Sequence, residues 1–254
     1  MNKNTNYSQI LWSLAKTDFK MRYHGSILGY LWSLIKPLLI FAVLYLVFSV
    51  LMRWDIPNFQ LYLLLGIIIW NFFAEGTMMG LNALVSKSNL IKKIYFPRIL
   101  VVIASICSSF LTLLINFLIF FLVYFLSELN FHLGLLLFPI YLVLIFLLVI
   151  GLSFILSILQ AKFKDTSQIW EVFLQAGFFL TPIIYPISFI PESYRFYLFI
   201  NPITGIVQYS RLLVLENQNP SILGTIYVLC IIALFVLLGL YIFNKFSNKV
   251  IEDL

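Results

Sequence analysis

Charge is what this sequence has least of. Only 10% of its 254 residues are Asp, Glu, Lys or Arg, while 62% are apolar. A soluble domain carries about 25% charged residues, so that scarcity excludes one. The apolar runs are long and continuous, not alternating segments of about ten residues, which excludes a transmembrane barrel and leaves helices. Cysteine is scarce too. Cys107 and Cys230 fall inside apolar runs and read as small core residues, with no disulfide or metal spacing. The two histidines, His24 and His132, are far apart and lack metal-ligand spacing. No G-x-x-x-x-G-K-[ST] is present, so the chain does not itself cradle nucleotide phosphates. No cluster of acid, base and nucleophile suggests a membrane enzyme. No internal repeat supports an inverted-repeat transporter, and no linker or low-complexity stretch marks a second domain. The first apolar run begins near Leu34, too far along for a cleavable signal, so none is expected.

What is present is a set of apolar runs, each near the roughly 20 residues that a helix needs to cross a bilayer. They cover residues 34–52, 61–85, 99–126, 135–160, a run starting near Ile169, and 222–243. The expected fold is an all-α integral membrane protein of six transmembrane helices. Residues 1–33 form a cytoplasmic interfacial segment and 34–254 a six-span bundle, within one domain of 1–254. Tyr7, Ile10, Leu11 and Leu14 share one face at helical spacing, which predicts an amphipathic helix over Tyr7–Arg22 lying in the interface. The fifth run meets Pro182 and Pro186, which must break or kink it. Residues 187–202 are apolar but interrupted by proline, and suit short helices dipping part-way into the bilayer from outside.

The basic residues set the topology. With both ends inside, the inner segments hold Lys3, Lys16, Lys20, Arg22, Lys36, Lys87, Lys92, Lys93, Arg98, Lys162, Lys164, Lys245 and Lys249. Only Arg53, Arg195 and Arg211 fall outside, so the positive-inside rule assigns N-in, C-in. The net charge of +6 reads as topological and implies no nucleic-acid partner.

Polar residues inside the spans are the candidate functional groups. Asn71, Glu75 and Asn82 form one polar face of the second span, and the carboxylate must face protein or water. Gly76 and Gly80 form a G-x-x-x-G that permits close helix approach. Ser105, Ser109, Thr112 and Asn116 share a face of the third span, a natural partner for the polar face of the second span. Phe41, Tyr45 and Phe48 form an aromatic stripe on the first span, either packed on neighbours or lining a conduit. Lys20, Arg22, His24 and Lys36 at the cytoplasmic side either anchor to headgroups or attract an anionic substrate group. Residues 89–97 are expected to form a short amphipathic helix stopped by Pro97.

Three groups of residues in order carry a family resemblance. The first is Asp18, Lys20, Arg22, Tyr23, Ser26, Leu28, Gly29, Trp32 and Pro37. The second is Asn89, Leu90, Ile91, Lys93, Phe96 and Pro97. The third is Lys164, Asp165, Thr181, Pro182, Tyr185, Pro186, Asn201, Pro202 and Arg211. The chain resembles, over essentially its whole length, the transmembrane subunit of type-2 ABC exporters for lipid-linked polysaccharide, the O-antigen and teichoic-acid permeases. Lys164 stands where an arginine is common in that family.

The resemblance implies a homodimer in the bacterial inner membrane, with two copies of a separate subunit that binds ATP and Mg; this chain itself carries no cofactor. It implies that residues 7–23 are a gate helix, with Tyr23 and Trp32 part of the gate. Asn89, Leu90, Ile91, Lys93, Phe96 and Pro97 would be the helix coupling to the ATPase. Pro182, Tyr185, Pro186, Asn201 and Pro202 would mark the re-entrant segment, and the first and fifth spans would enclose the conduit. The implied substrate is a glycan on a polyprenyl pyrophosphate. Sugars stack on aromatic faces and can slide, which suits the Phe41 stripe. Two other readings stay open. One is an ion-coupled transporter or channel using Glu75, although few acids lie in the spans besides Glu75 and Glu171. The other is a structural partner in a glycan-synthesis complex.

Overall fold

The computed structural model describes residues 7–22, 24–93, 96–127 and 133–252, with 133, 251 and 252 as backbone alone. The elements among them are all helical: α1 (Tyr7–Arg22), α2 (Trp32–Tyr45), α3 (Phe59–Ser86), α4 (Ser88–Lys93), α5 (Ile99–Leu126), α6 (Phe138–Lys162), α7 (Thr166–Leu180), α8 (Glu192–Phe199), α9 (Pro202–Val214) and α10 (Ile222–Glu252). A 3-10 turn, Gly29–Leu31, leads into α2, and a π-helical turn, Leu46–Leu51, extends it. Five helical runs among the described residues are long and apolar enough to cross a membrane: Gly29–Leu51, Phe59–Ser86, Ile99–Leu126, Gly134–Lys162 and Ile222–Val250. The chain is therefore a multi-pass helical membrane protein.

The fifth expected span differs from the other five. Helix α7 has 15 residues, about 22 Å at 1.5 Å per residue, against a hydrocarbon core of about 30 Å. It ends where Thr181 N donates to Gly177 O at 2.8 Å. Pro182 then has no N–H to continue, and its ring drives Thr181 into the extended region, ψ 133°. The chain returns through a 3-10 turn, Ile187–Phe189, and the short α8 before α9 begins.

Helix α3 is the centre of the molecule. Most of its side chains are buried, from Phe59 to Leu84, and it packs on α5 and α6. Helix α6 packs in turn on α10, and α1 lies along α5. Small residues set the spacing. A Cβ at Gly76 would stand 2.9 Å from Val149 Cγ1, and one at Gly80 would overlap Ser153. The G-x-x-x-G of α3 thus faces α6. A second close crossing, which no sequence motif announced, joins α6 and α10. A Cβ at Gly151 would lie 2.8 Å from the Phe235 carbonyl carbon and from Val236 N, and Gly239 sits against the Gly151 carbonyl. Backbones can meet this closely only where Cβ is absent.

The periphery is apolar and outward-facing. Leu39, Val43, Leu46 and Val50 on the first run, and Ile169, Val172, Phe173, Phe179 and Leu180 on α7, are exposed. No side chain of α7 is fully buried. Such faces match hydrocarbon, which is as apolar as they are.

Because the α6–α10 contact is backbone on backbone, it cannot yield by rotamer change. Gly151→Leu is expected to destabilise the chain by about 1–3 kcal/mol or more, as overpacked cores do. Thermal unfolding in detergent checks this; an unchanged midpoint would show that the crossing tolerates separation.

Candidate functional site

A cavity of about 1070 Å³ opens between α1, α2, α3, α5 and α7. Arg22 reaches it from α1, and Trp32, Ser33, Lys36, Pro37 and Ile40 from α2. Trp70, Asn71, Phe72 and Glu75 line it from α3, and Ser109, Thr112 and Asn116 from α5. The α7 wall is Glu171, Leu174, Gln175, Phe178 and Phe179. The surface therefore combines aromatic faces, amides, hydroxyls and charges of both signs.

The charges are placed by pairing. Arg22 Nη1 donates to Glu75 Oε1 and, at 3.2 Å, to Thr112 Oγ1. Its other terminal nitrogen lies against the Met79 thioether. One turn earlier on α1, Asp18 accepts from Lys87 Nζ and from Ser105 Oγ, the latter at 3.0 Å. Ser105 also accepts from Lys87 at 3.0 Å. Helix α1 is thus tied to α3 and α5 at two levels, with Ala15 fully buried between them. Tyr7, Trp12 and Met21 of the same helix are exposed. Glu75 of α3 and Ser109, Thr112 and Asn116 of α5 line the same cavity, and Arg22 bridges Glu75 to Thr112.

Asn116 has a task tied to proline. Pro37 stands inside α2, so the Ser33 carbonyl loses the N–H that residue i+4 would have supplied. Asn116 Nδ2 donates to Ser33 O at 3.2 Å, from the neighbouring α5.

Not every expected site residue joins the cavity. Asn71 and Glu75 line it, whereas Asn82 Nδ2 bonds back to Met78 O at 3.0 Å on its own helix. Trp32 and Lys36 line it; Lys20 and His24 are exposed away from it. Tyr23 lies outside the described residues. Within this chain the aromatic stripe turns elsewhere. Phe41 stacks on Tyr45 at 5.7 Å, Tyr45 on Phe59 at 6.1 Å, and Phe48 tilts on Trp54 at 4.7 Å. These rings pack the first run against the start of α3 and do not border the cavity. In α4, Ile91 is buried, Leu90 half-buried, and Asn89, Lys92 and Lys93 are exposed. Phe96 is half-buried and Pro97 exposed, while residues 94 and 95 lie outside the described set.

The broken segment after α7 forms a polar knot around Arg211. By charge the sequence placed this residue among the outside cations, yet it is 1% exposed. Its guanidinium donates to Pro182 O and Ile183 O, both at 2.6 Å, and to Tyr62 O at 3.1 Å, and stacks 3.4 Å over the Tyr62 ring. Arg211 lies on α9. Tyr62 OH donates to Tyr185 O at 3.1 Å. Asn201 caps α9 by accepting from Ile203 N at 3.1 Å, and its amide donates to Thr181 Oγ1 at 3.0 Å. Pro202 occupies the first helical position, and Pro186 leads into the 3-10 turn. A signal for this knot was present: a proline-broken helix leaves carbonyls without donors, and an arginine in apolar surroundings needs acceptors.

The long apolar helices, the docked amphipathic α1 and the internal polar cavity fit a membrane transport protein. Comparison with known proteins names the family: residues 9–215 match the ABC-2 type transporter model, and the chain belongs to that family. It is 30% identical to an O-antigen export system permease protein RfbA of Klebsiella pneumoniae, over 95% of this chain and 93% of that one. It is 31% identical to RfbA of Myxococcus xanthus, over 85% and 84%. It is 23% identical to the polysialic acid transport protein KpsM of Escherichia coli, over 91% and 89%.

Arg211→Met would leave three buried carbonyls without this donor, at about 1–3 kcal/mol for each one that stays unsatisfied. Its unfolding midpoint in detergent is expected to fall well below wild type, and Arg211→Lys, which keeps the charge but not the fork, to fall between. Equal midpoints for all three would show that water or rearrangement serves these carbonyls.

Proposed function

We propose that the chain is the membrane-spanning subunit of an ATP-driven exporter that moves polysaccharide on a polyprenyl diphosphate carrier from the cytoplasmic to the outer side of a bacterial inner membrane. Two copies assemble with two copies of a separate ATP-binding subunit, which holds ATP and Mg. The observation that carries this reading is the composition of the cavity. Trp32, Trp70 and Phe178 offer faces on which sugar C–H edges stack, Asn71, Gln175 and Thr112 offer hydrogen bonds to hydroxyls, and Arg22 and Lys36 offer cations for a phosphate. The RfbA and KpsM relatives, named for export of O antigen and transport of polysialic acid, support the same substrate class.

In this arrangement the chain crosses six times with both ends inside. Helix α7 and the knotted segment after it together make the fifth crossing, and residues 187–199 enter part-way from outside. Helix α4 projects Lys92 and Lys93 on the side where α1 meets α3, and transmits motion of the ATPase to α3 and α5. The α2 and α7 surfaces of the two copies face each other, so that the conduit, including the Phe41, Tyr45 and Phe48 stripe, is completed in the dimer. Glu75 is already paired with Arg22, which favours this reading over a carrier whose coupling ion must bind Glu75.

Co-expression with the neighbouring ATP-binding protein tests the assembly. A stable complex with ATPase activity in lipid is expected, and a chain that purifies alone and stimulates none would count against the exporter. Lys93→Glu combined with Phe96→Ala is expected to cut surface polysaccharide at least tenfold while the permease reaches the membrane at normal levels, about 1.4 kcal/mol of lost coupling. Full export by that variant would remove α4 from the mechanism.

A further inference from the structure

The cavity balances its own charge. Arg22 and Lys36 are its cations, Glu75 and Glu171 its carboxylates. Of these, Arg22 and Glu75 are joined, and the joint is not sealed: the two side chains are 18% and 35% exposed. A guanidinium holds a carboxylate and a phosphate with the same fork of N–H groups. An anionic group that enters this cavity must therefore compete with Glu75 for Arg22.

The surroundings allow the exchange. Beyond Arg22 the chain passes through exposed residues 24–28. Gly25 (φ +78°) and Gly29 (φ +48°) hold left-handed conformations there, and a Cβ at either would meet nothing within 4 Å. The bend is open at both glycines, and α1 is joined across it by the stacking of Phe19 on Tyr30 at 5.1 Å. Glu75, once released, remains at a polar wall with Asn71, Ser109 and Thr112 instead of in an apolar core. The second tie, Asp18 with Lys87 and Ser105, sits outside the cavity and is not borne by residues that line it.

We infer that Glu75 is a displaceable internal counter-ion. It occupies Arg22 until a phosphate or diphosphate group arrives on the cargo, which then takes Arg22 and Lys36 and loosens the inner tie of α1. The inference rests on the proposed export function for the source of that anion. It makes a prediction of unusual sign: deleting an ion pair tightens binding.

The test uses the full-length chain in nanodiscs of zwitterionic lipid, titrated separately with labelled farnesyl diphosphate, farnesol and inorganic diphosphate. Glu75→Gln is expected to bind farnesyl diphosphate about tenfold more tightly than wild type, with farnesol unchanged, and Arg22→Ala to abolish the gain. A gain shared by inorganic diphosphate shows that the anion alone suffices; a gain confined to farnesyl diphosphate assigns the site to a lipid headgroup. Both support the exchange. Binding by Glu75→Gln that is equal to or weaker than wild type overturns it and makes the pair purely structural. Should that variant fail to fold, Glu75→Asp keeps the charge, shortens its reach and is expected to tighten binding about threefold; no tightening overturns the exchange equally. Surface polysaccharide in cells separates the two ideas. Restored export by wild type, with no tightening in the variant, sinks the exchange alone. No export by wild type sinks the transport function itself.

Discussion

A bilayer core offers no water to a carbonyl or a charge, so each departure from a plain apolar helix must find its partner inside the protein. Three such departures among the described residues are each answered by a side chain from another helix. Pro37 deprives Ser33 of a donor, and Asn116 replaces it. Pro182 ends α7 and leaves carbonyls at residues 182 and 183, and Arg211 serves both while also reaching Tyr62. Glu75 places a carboxylate midway along α3, and Arg22 meets it from α1. The first two substitutions hold backbone and seal their surroundings. The third lies on a cavity wall and joins two groups that can each find another partner. That difference in setting is what separates a structural tie from one available to function.

The helices divide accordingly into a frame and a margin. Helices α3, α5, α6 and α10 approach through Gly76, Gly80, Gly151 and Gly239, and their contacts leave no room for a methyl group. Helices α1, α2 and α7 border the cavity from the other side and are held by individual contacts: the Asp18 and Arg22 pairs, the Asn116 amide, the Trp170 Nε1 bond to Thr77 at 3.0 Å, and the Trp70 ring against Gly177. Hydrogen bonds and ion pairs of this kind can be exchanged one at a time, whereas backbone-on-backbone packing yields only as a whole. A cavity bounded by closely packed helices on one side and separately tethered helices on the other can widen without unfolding.

Much of this was legible in the sequence, for reasons of scale. Five of the six long apolar runs, the bounds of α1, the break at Pro182 and the start of α4 follow from hydropathy, charge and proline geometry, which act over a few neighbouring residues, whereas α4 is Ser88–Lys93 and not the full 89–97. The same local logic placed Glu75 against protein or water and predicted that the polar faces of α3 and α5 would meet. What it could not resolve was partner choice over long separations. Arg22 lies 53 positions from Glu75, and Arg211 lies 149 from Tyr62. The aromatic stripe shows the same limit: its periodicity was plain, but its direction depended on where Phe59 and Trp54 came to rest.

By itself, then, the sequence determined that the protein is helical and membrane-embedded, because those properties are sums over local composition. Only the tertiary structure decided which cation faces which anion, which glycines touch, and that the charged cavity lies under α1. Such contacts depend on the relative rotation and depth of helices remote in the chain, and a helix rotated by one residue, about 100°, would bring a different set of side chains to each interface.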